Sequence, residues 1–378
     1  LGLFIPLYLP AFLFSFSHSL LIPVLPLYAQ SLDASYALVG VVLAGETIGM
    51  MLADLPAGML MRRIGQKGAM VLGLSLTGLS TACIFFAQTL TMIVILRMVA
   101  GVGTSLFSVS RHYYLAEMAP PLQRGRITSL FGGFFRMGRM LGPVVGGTVA
   151  VIFGYQASFL VFGVVCGLAL LIVLNYLPRL EVPRRSREEM ELSPLKFFIS
   201  VVASQKKVLL PAGVGFLFMQ IIRSGPQVII PLYAANILDM DVQTVGWVMS
   251  LSSAVDMLLF YPAGMIMDRW GSKRAIIASC LLIASGLALV PFATSFSTLL
   301  VAGMLAGFGN GFGSGAMLTL GADLAPKTGR SEFLGAWTLI GDVGATSGPL
   351  AAGGLAQSLP LSTTSWIISL AGITAALI

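Results

Sequence analysis

Apolar stretches dominate this chain, and polar residues mark their limits. Runs of about 20–25 residues fall at about 4–29, 37–61, 69–87, 91–115, 127–150, 156–177, 208–233, 244–268, 275–293, 297–321, 332–355 and 363–378. Each is long enough to cross roughly 30 Å of hydrocarbon as a helix, so twelve spanning helices are predicted. The first run is too long for a cleaved signal peptide and lacks a basic flank. The abrupt first and last runs read as trimmed termini.

The pattern repeats. Adding 206 to a position in the first half reaches its counterpart in the second. PAGM at Pro56–Met59 returns at Pro262–Met265, and Arg63, Gly65 and Lys67 return as Arg269, Gly271 and Lys273. Ala100, Gly101 and Gly103 match Ala306, Gly307 and Gly309, while Gly142-Pro143 matches Gly348-Pro349. The predicted fold is therefore an all-α membrane protein of twelve helices in two pseudo-symmetric six-helix bundles around a central cavity. The bundles are 1–177 and 208–378. The intervening 178–207 holds the only strongly polar run, RRSREEME, and reads as a linker. Two similar halves facing one another is a common build for secondary transporters, with the substrate site near the midplane.

Composition agrees. The 378 residues are 57% hydrophobic and 10% charged, against about 25% charged in soluble domains. The net charge of +7 does not point to nucleic acid, because Lys and Arg gather in every second loop. The alternate loops carry acids such as Asp33, Asp239 and Asp241. This asymmetry predicts basic loops and both termini in the cytoplasm, against anionic headgroups of the lipid bilayer. Cys83, Cys166 and Cys280 fall inside spans without metal-ligand spacing and read as packing residues. No phosphate-cradling loop, HExxH or catalytic trio is present, so neither an enzyme nor an ATP-driven pump is predicted, and no cofactor or metal is expected. GFGNGFGSG lies inside the tenth span and reads as helix packing.

GMLMRRIGQK and GMIMDRWGSK resemble the major facilitator superfamily's loop motif G-x-L-x-D-R-x-G-R-K and its echo. The residues concerned are Gly58, Arg62, Arg63, Gly65 and Lys67, then Gly264, Asp268, Arg269, Gly271 and Lys273. Arg97 with Gly101 and Gly103 is similar to that family's fourth-helix motif. Gly138, Gly142, Pro143, Gly146 and Gly147 resemble the fifth-helix motif of its drug:proton antiporters, echoed by Gly348 and Pro349. PVLPLY after the first span suits the same branch. The resemblance covers essentially the whole chain. It implies that spans 3, 6, 9 and 12 lie outside and that Arg97 holds a position linked to proton coupling. The family's loop Asp survives only as Asp268; Arg62 takes its place in the first copy. Arg62 either pairs with Glu332, at the first turn of span 11, or is simply solvated.

Ionisable side chains inside spans are expensive and mark function by default. Glu46, Asp54, Arg97, Arg136, Arg139, Arg223, Asp256 and Asp342 qualify, with His18 beside them, and spans 3, 6, 9 and 12 carry no charge. Arg136 and Arg139 share a helix face and need acids, water or an anionic substrate group; Glu46 and Asp342 are the expected partners. His18, Glu46, Arg136, Arg139, Arg223, Gln227, Asp256, Asn310 and Asp342 are expected to form the cavity, with Gln220, Tyr233 and Trp247 as further contacts. Glu46, Arg97, Asp256 and Asp342 are expected to carry proton coupling, and each acid also has a purely structural ion-pair reading. Asp54 is assigned to a cytoplasmic gate, and Arg111-His112-Tyr113-Tyr114 to interfacial anchoring and gating.

The sequence reading is a monomeric secondary transporter in a bacterial cytoplasmic membrane. It exports small amphipathic molecules in exchange for protons, by alternating access. Two alternatives remain: a carrier of anionic or zwitterionic solutes or lysolipids, and a non-transporting sensor or scaffold.

Overall fold

The computed structural model describes residues 4–118, 124–178, 200–313, 315–326 and 330–378. Its long helices are α1 (Leu9–Ser31), α2 (Tyr36–Cys83), α3 (Leu90–Met118), α4 (Arg124–Phe153), α5 (Tyr155–Tyr176), α6 (Lys206–Asn236), α7 (Val242–Trp270), α8 (Ser272–Leu289), α9 (Phe296–Gly313), α10 (Ala316–Leu324), α11 (Arg330–Ser358) and α12 (Leu361–Leu377). Among the described residues, nine stretches are long and apolar enough to span a bilayer by composition alone. The remaining three predicted spans are α4, α11 and α12. Polar residues such as Arg136 and Arg139 in α4 and Asp342 in α11 dilute those two, and α12 has 17 residues. The fold is twelve spans in two six-helix bundles. Most of the polar linker, 179–199, lies outside the described residues.

Two span boundaries differ from the sequence pattern. Spans 2 and 3, both within the range of α2, are two helices that meet at a corner inside the basic stretch, so the expected loop is shortened to a kink. The corner is Gly65, at φ 79° and ψ 162°. In the second copy Gly271 separates α7 from α8 at φ 82° and ψ 158°. That region is essentially closed to residues with a Cβ, so the same glycine-only corner is built twice. The tenth span divides at Gly315, φ 88°, into α9 and α10. The acidic loops repeat too: Asp33 and Asp239 both take positive φ, 58° and 50°, which short polar side chains tolerate.

Between apolar helices in lipid, association depends on close packing rather than hydrophobic drive. Glycines supply it here. A methyl group at Gly142 would lie 2.7 Å from the Phe16 carbonyl oxygen of α1, and Gly138 and Gly146 fit the same helix. Gly348 of α11 fits α6 in the corresponding way. Across the bundles, the densest packing is α4 on α7 and α2 on α11.

The core is continuous at one end only. Toward the acidic loops, one buried apolar cluster joins both bundles and includes Leu25, Tyr28, Ile93, Leu232 and Val245. Toward the basic loops it divides. Leu74, Phe107 and Phe131 belong to a cluster confined to the first bundle, and Phe216, Ile276 and Trp337 to one confined to the second. Cross-bundle hydrogen bonds follow the joined end. Asn236 Nδ2 donates to Gln30 Oε1 at 3.1 Å, Gln243 Nε2 to Thr148 Oγ1 at 3.3 Å, and the Val144 amide to Ser250 Oγ at 2.9 Å. Pro143 disturbs the α4 ladder just before Val144, and this amide bonds across the seam. The molecule is sealed at the acidic-loop end and parted at the basic-loop end.

Candidate functional site

Between the bundles lies a cavity of about 500 Å³. Its polar wall comes from α1, α2, α3, α4, α6 and α9, and a smaller recess of about 60 Å³ reaches α7 at Asp256. Arg139, Arg223, Gln227 and Asn310 line both, so the two spaces share walls.

Backbone interlocks place the first polar group. Gly45 of α2 sits against the Arg97 side chain, Gly49 against the Met98 backbone and Gly101 of α3 against the Glu46 carbonyl. With α2 and α3 this close, Glu46 reaches Arg97 in a buried ion pair through Oε2. Its Oε1 accepts from Thr104 Oγ1 at 2.9 Å and lies 2.7 Å from His18 Nε2. His18 Nδ1 lies 2.9 Å from the Phe14 carbonyl. His18 thus bridges the Phe14 carbonyl of its own helix and the Glu46 carboxylate of α2. Phe14 and Phe162 pack on the imidazole at 4.2 and 5.1 Å between ring centroids.

The second group centres on Asp256, whose side chain is only 4% exposed. Arg136 Nε lies 3.5 Å from Oδ1 and Arg139 Nη1 4.0 Å from Oδ2. Asn310 bridges a third guanidinium: its Nδ2 donates to Asp256 Oδ2 at 2.8 Å and its Oδ1 accepts from Arg223 Nε at 2.9 Å. Gly307 packs on the Ser252 carbonyl and Gly311 on that of Asp256, which brings α9 close to α7. One carboxylate thus serves three arginines.

Several placements differ from expectation. The expected acid partners of Arg136 and Arg139 were Glu46 and Asp342, but Asp256 takes that role. Asp342 lies instead beside Asp54 across the α2–α11 seam, outside the residues lining the cavity. Asp54 Oδ1 accepts from Ser105 Oγ at 2.5 Å. Tyr233 is buried and donates to the Pro291 carbonyl at 3.1 Å, away from the cavity. Trp247 is 46% exposed on the outer surface. Arg111 is not an interfacial anchor: it lines the cavity and is 6% exposed. Sequence reading also passed over Thr104. The signal was available, because Arg97, Thr104 and Arg111 follow at seven-residue steps on one side of α3.

A family model described as the Major Facilitator Superfamily matches residues 7–233 and 212–378. The chain belongs to the major facilitator superfamily. An uncharacterized MFS-type transporter of Methanocaldococcus jannaschii is 24% identical over 90% of this chain and 87% of its own length. Multidrug resistance protein MdtH of Aeromonas salmonicida is 25% identical over 79% of this chain and 73% of its own. A POT family transporter solved with a thioalcohol-conjugated peptide superposes with a TM-score of 0.84 at 15% identity, covering 100% of this chain and 94% of that one. In this superfamily member, Lys67 of the loop motif donates to the Leu174 carbonyl at 2.7 Å, near the C-terminus of α5, where a cation suits the helix dipole. Arg62, Arg63, Arg269 and Lys273 are exposed. The side chains of Asp268 and Glu332 lie outside the described residues, and with them the expected Arg62–Glu332 pair.

Proposed function

We propose that this chain is a proton-coupled secondary transporter that moves small amphipathic molecules out of the cell by alternating access. In this reading it is a monomer in a bacterial cytoplasmic membrane with both termini inside. The observation that carries it is the cluster of His18, Glu46 and Arg97 on the wall of a cavity shared by both bundles. In this reading a proton on the His18–Glu46 pair competes with Arg97 for the same carboxylate. Losing or gaining the proton changes the charge facing the cavity, and a charge change there shifts the balance between two packings of the bundles. Moving one proton across 100 mV supplies about 2.3 kcal/mol, roughly a fiftyfold solute gradient.

Further support comes from the basic loops at the parted end, since the positive-inside rule favours such loops on the cytoplasmic side. The antiporter-like glycine face of α4 packs tightly on α1, and a multidrug resistance protein is among the relatives. The test is flux of cationic, neutral and anionic fluorescent dyes into proteoliposomes. At least one dye should accumulate only under a pH gradient, and Glu46→Gln should abolish that accumulation while leaving exchange at equal pH. Dye flux indifferent to the gradient, or unchanged in Glu46→Gln, would refute the reading.

A further inference from the structure

The charges on the cavity wall do not balance. Arg97 offsets Glu46. Among the described lining residues that leaves Arg111, Arg139 and Arg223 against one carboxylate, Asp256, an excess of two positive charges at membrane depth. Uncompensated charge in that position is costly enough to require a partner.

Arg111 states the case most sharply. It is 6% exposed, yet no ion pair or hydrogen bond is made to it among the described residues, and its Nε and Nη1 are buried without an acceptor. Its guanidinium carbon lies 5.4, 5.0 and 5.4 Å from the ring centroids of Phe107, Phe131 and Phe135. Each such contact attracts the cation to the ring face. Rings hold a cation by its faces and leave its N–H groups without acceptors, and an unmet charged donor is costly to bury. The rings fix the guanidinium in position without satisfying it.

Geometry connects this cation to the central ones. Phe135 stacks on Arg111 and also lines the cavity, and Arg139 follows it by four residues, about 6 Å along α4. Arg139 is the loosest of the central cations, 4.0 Å from Asp256 with its side chain 29% exposed. Arg111, Arg139 and Arg223 all border the same space, between apolar walls that include Phe14, Ile22 and Leu25.

We propose that the carried solute is an amphipathic organic anion, and that Arg111, Arg139 and Arg223 recognise its carboxylate, sulfonate or phosphate. This rests on the transport reading above and narrows its substrate class. It also orders the path. Arg111 lies toward the parted, basic-loop end, so it meets an anion before Arg139 and Arg223 do.

The test is equilibrium binding to the full chain in a non-ionic detergent, by calorimetry, with three probes of one shape: naphthalene-2-carboxylate, 2-naphthylmethanol and 2-naphthylmethylammonium. The carboxylate should bind saturably and the other two should not compete. Arg111→Gln should weaken carboxylate binding by about 30-fold or more, the loss expected from deleting one buried charge contact. Arg111→Lys keeps the charge and should restore most of the affinity, which separates recognition from loss of fold. Lys207→Gln, on the exposed start of α6, should bind as the unaltered protein does. Saturable ammonium binding equal to the carboxylate, no carboxylate binding, or Arg111→Gln binding normally would each overturn the proposal. Gradient-driven flux of a cationic dye would then still support proton-coupled transport while excluding the anion assignment.

Discussion

Asp256 is the acid on which most of the cavity's charge depends. Removing one member of a buried ionic group costs about 3–5 kcal/mol, because the charge left behind has no solvent. Asp256→Asn removes the carboxylate that Arg136, Arg139 and, through Asn310, Arg223 share. It should lower unfolding stability in detergent by about that amount, and adding Arg223→Gln should recover part of the loss. Thermal unfolding followed by circular dichroism measures both; an unchanged midpoint for Asp256→Asn would show that the group is not held as a unit. At this scale the sequence told which side chains are expensive but not which ones meet. Pairing depends on helix rotation and depth. Asp342 therefore went to Asp54 rather than to an arginine, and Arg111, next to three polar or aromatic residues, passed for an anchor while two of its three ring neighbours, Phe131 and Phe135, came from α4.

Within the helices, two glycine uses make separate predictions. Gly65 and Gly271 sit at backbone angles reserved for glycine. Gly65→Ala and Gly271→Ala should each cost about 1–3 kcal/mol in unfolding stability, in near-equal measure because the corner is duplicated. A loss confined to one of them would mean that the two corners are not equivalent. Gly246 of α7 lies against the Pro143 carbonyl of α4 with no room for a side chain. Gly246→Leu should part α4 from α7 at the acidic-loop end, where the bundles are now sealed. Spin-label distances between α4 and α7 at that end should lengthen, with transport reduced about tenfold or more. Unchanged distances would contradict the account of the seam. Span number and both glycine corners were visible in the sequence, because apolar length and a fixed 206-residue offset are local signals. The shortness of the first corner was not: Arg62, Arg63 and Lys67 read as loop chemistry, yet the two helices run up to Gly65 from either side, with Arg62 and Arg63 exposed and Lys67 donating to the Leu174 carbonyl.

For the whole molecule, duplication built the frame and divergence made the site. Gly101 packs on the Glu46 carbonyl, and its counterpart Gly307 packs on the carbonyl of Ser252, the residue 206 beyond Glu46. The interlock is the same and the chemistry is not, since the second bundle has Ser where the first has the acid that meets His18 and Arg97. The second bundle's own acid, Asp256, stands opposite arginines of the first. Each bundle thus contributes part of an asymmetric charge pattern around one cavity, and in the proposed function the Glu46 side of that pattern carries the proton coupling. The most direct measurement of this claim is internal pH in pyranine-loaded proteoliposomes when solute is added outside. The account predicts that naphthalene-2-carboxylate changes internal pH with the unaltered protein and produces no change with Glu46→Gln, although the solute still exchanges. An equal pH change with both proteins, or solute flux in the unaltered protein without any pH change, would contradict it.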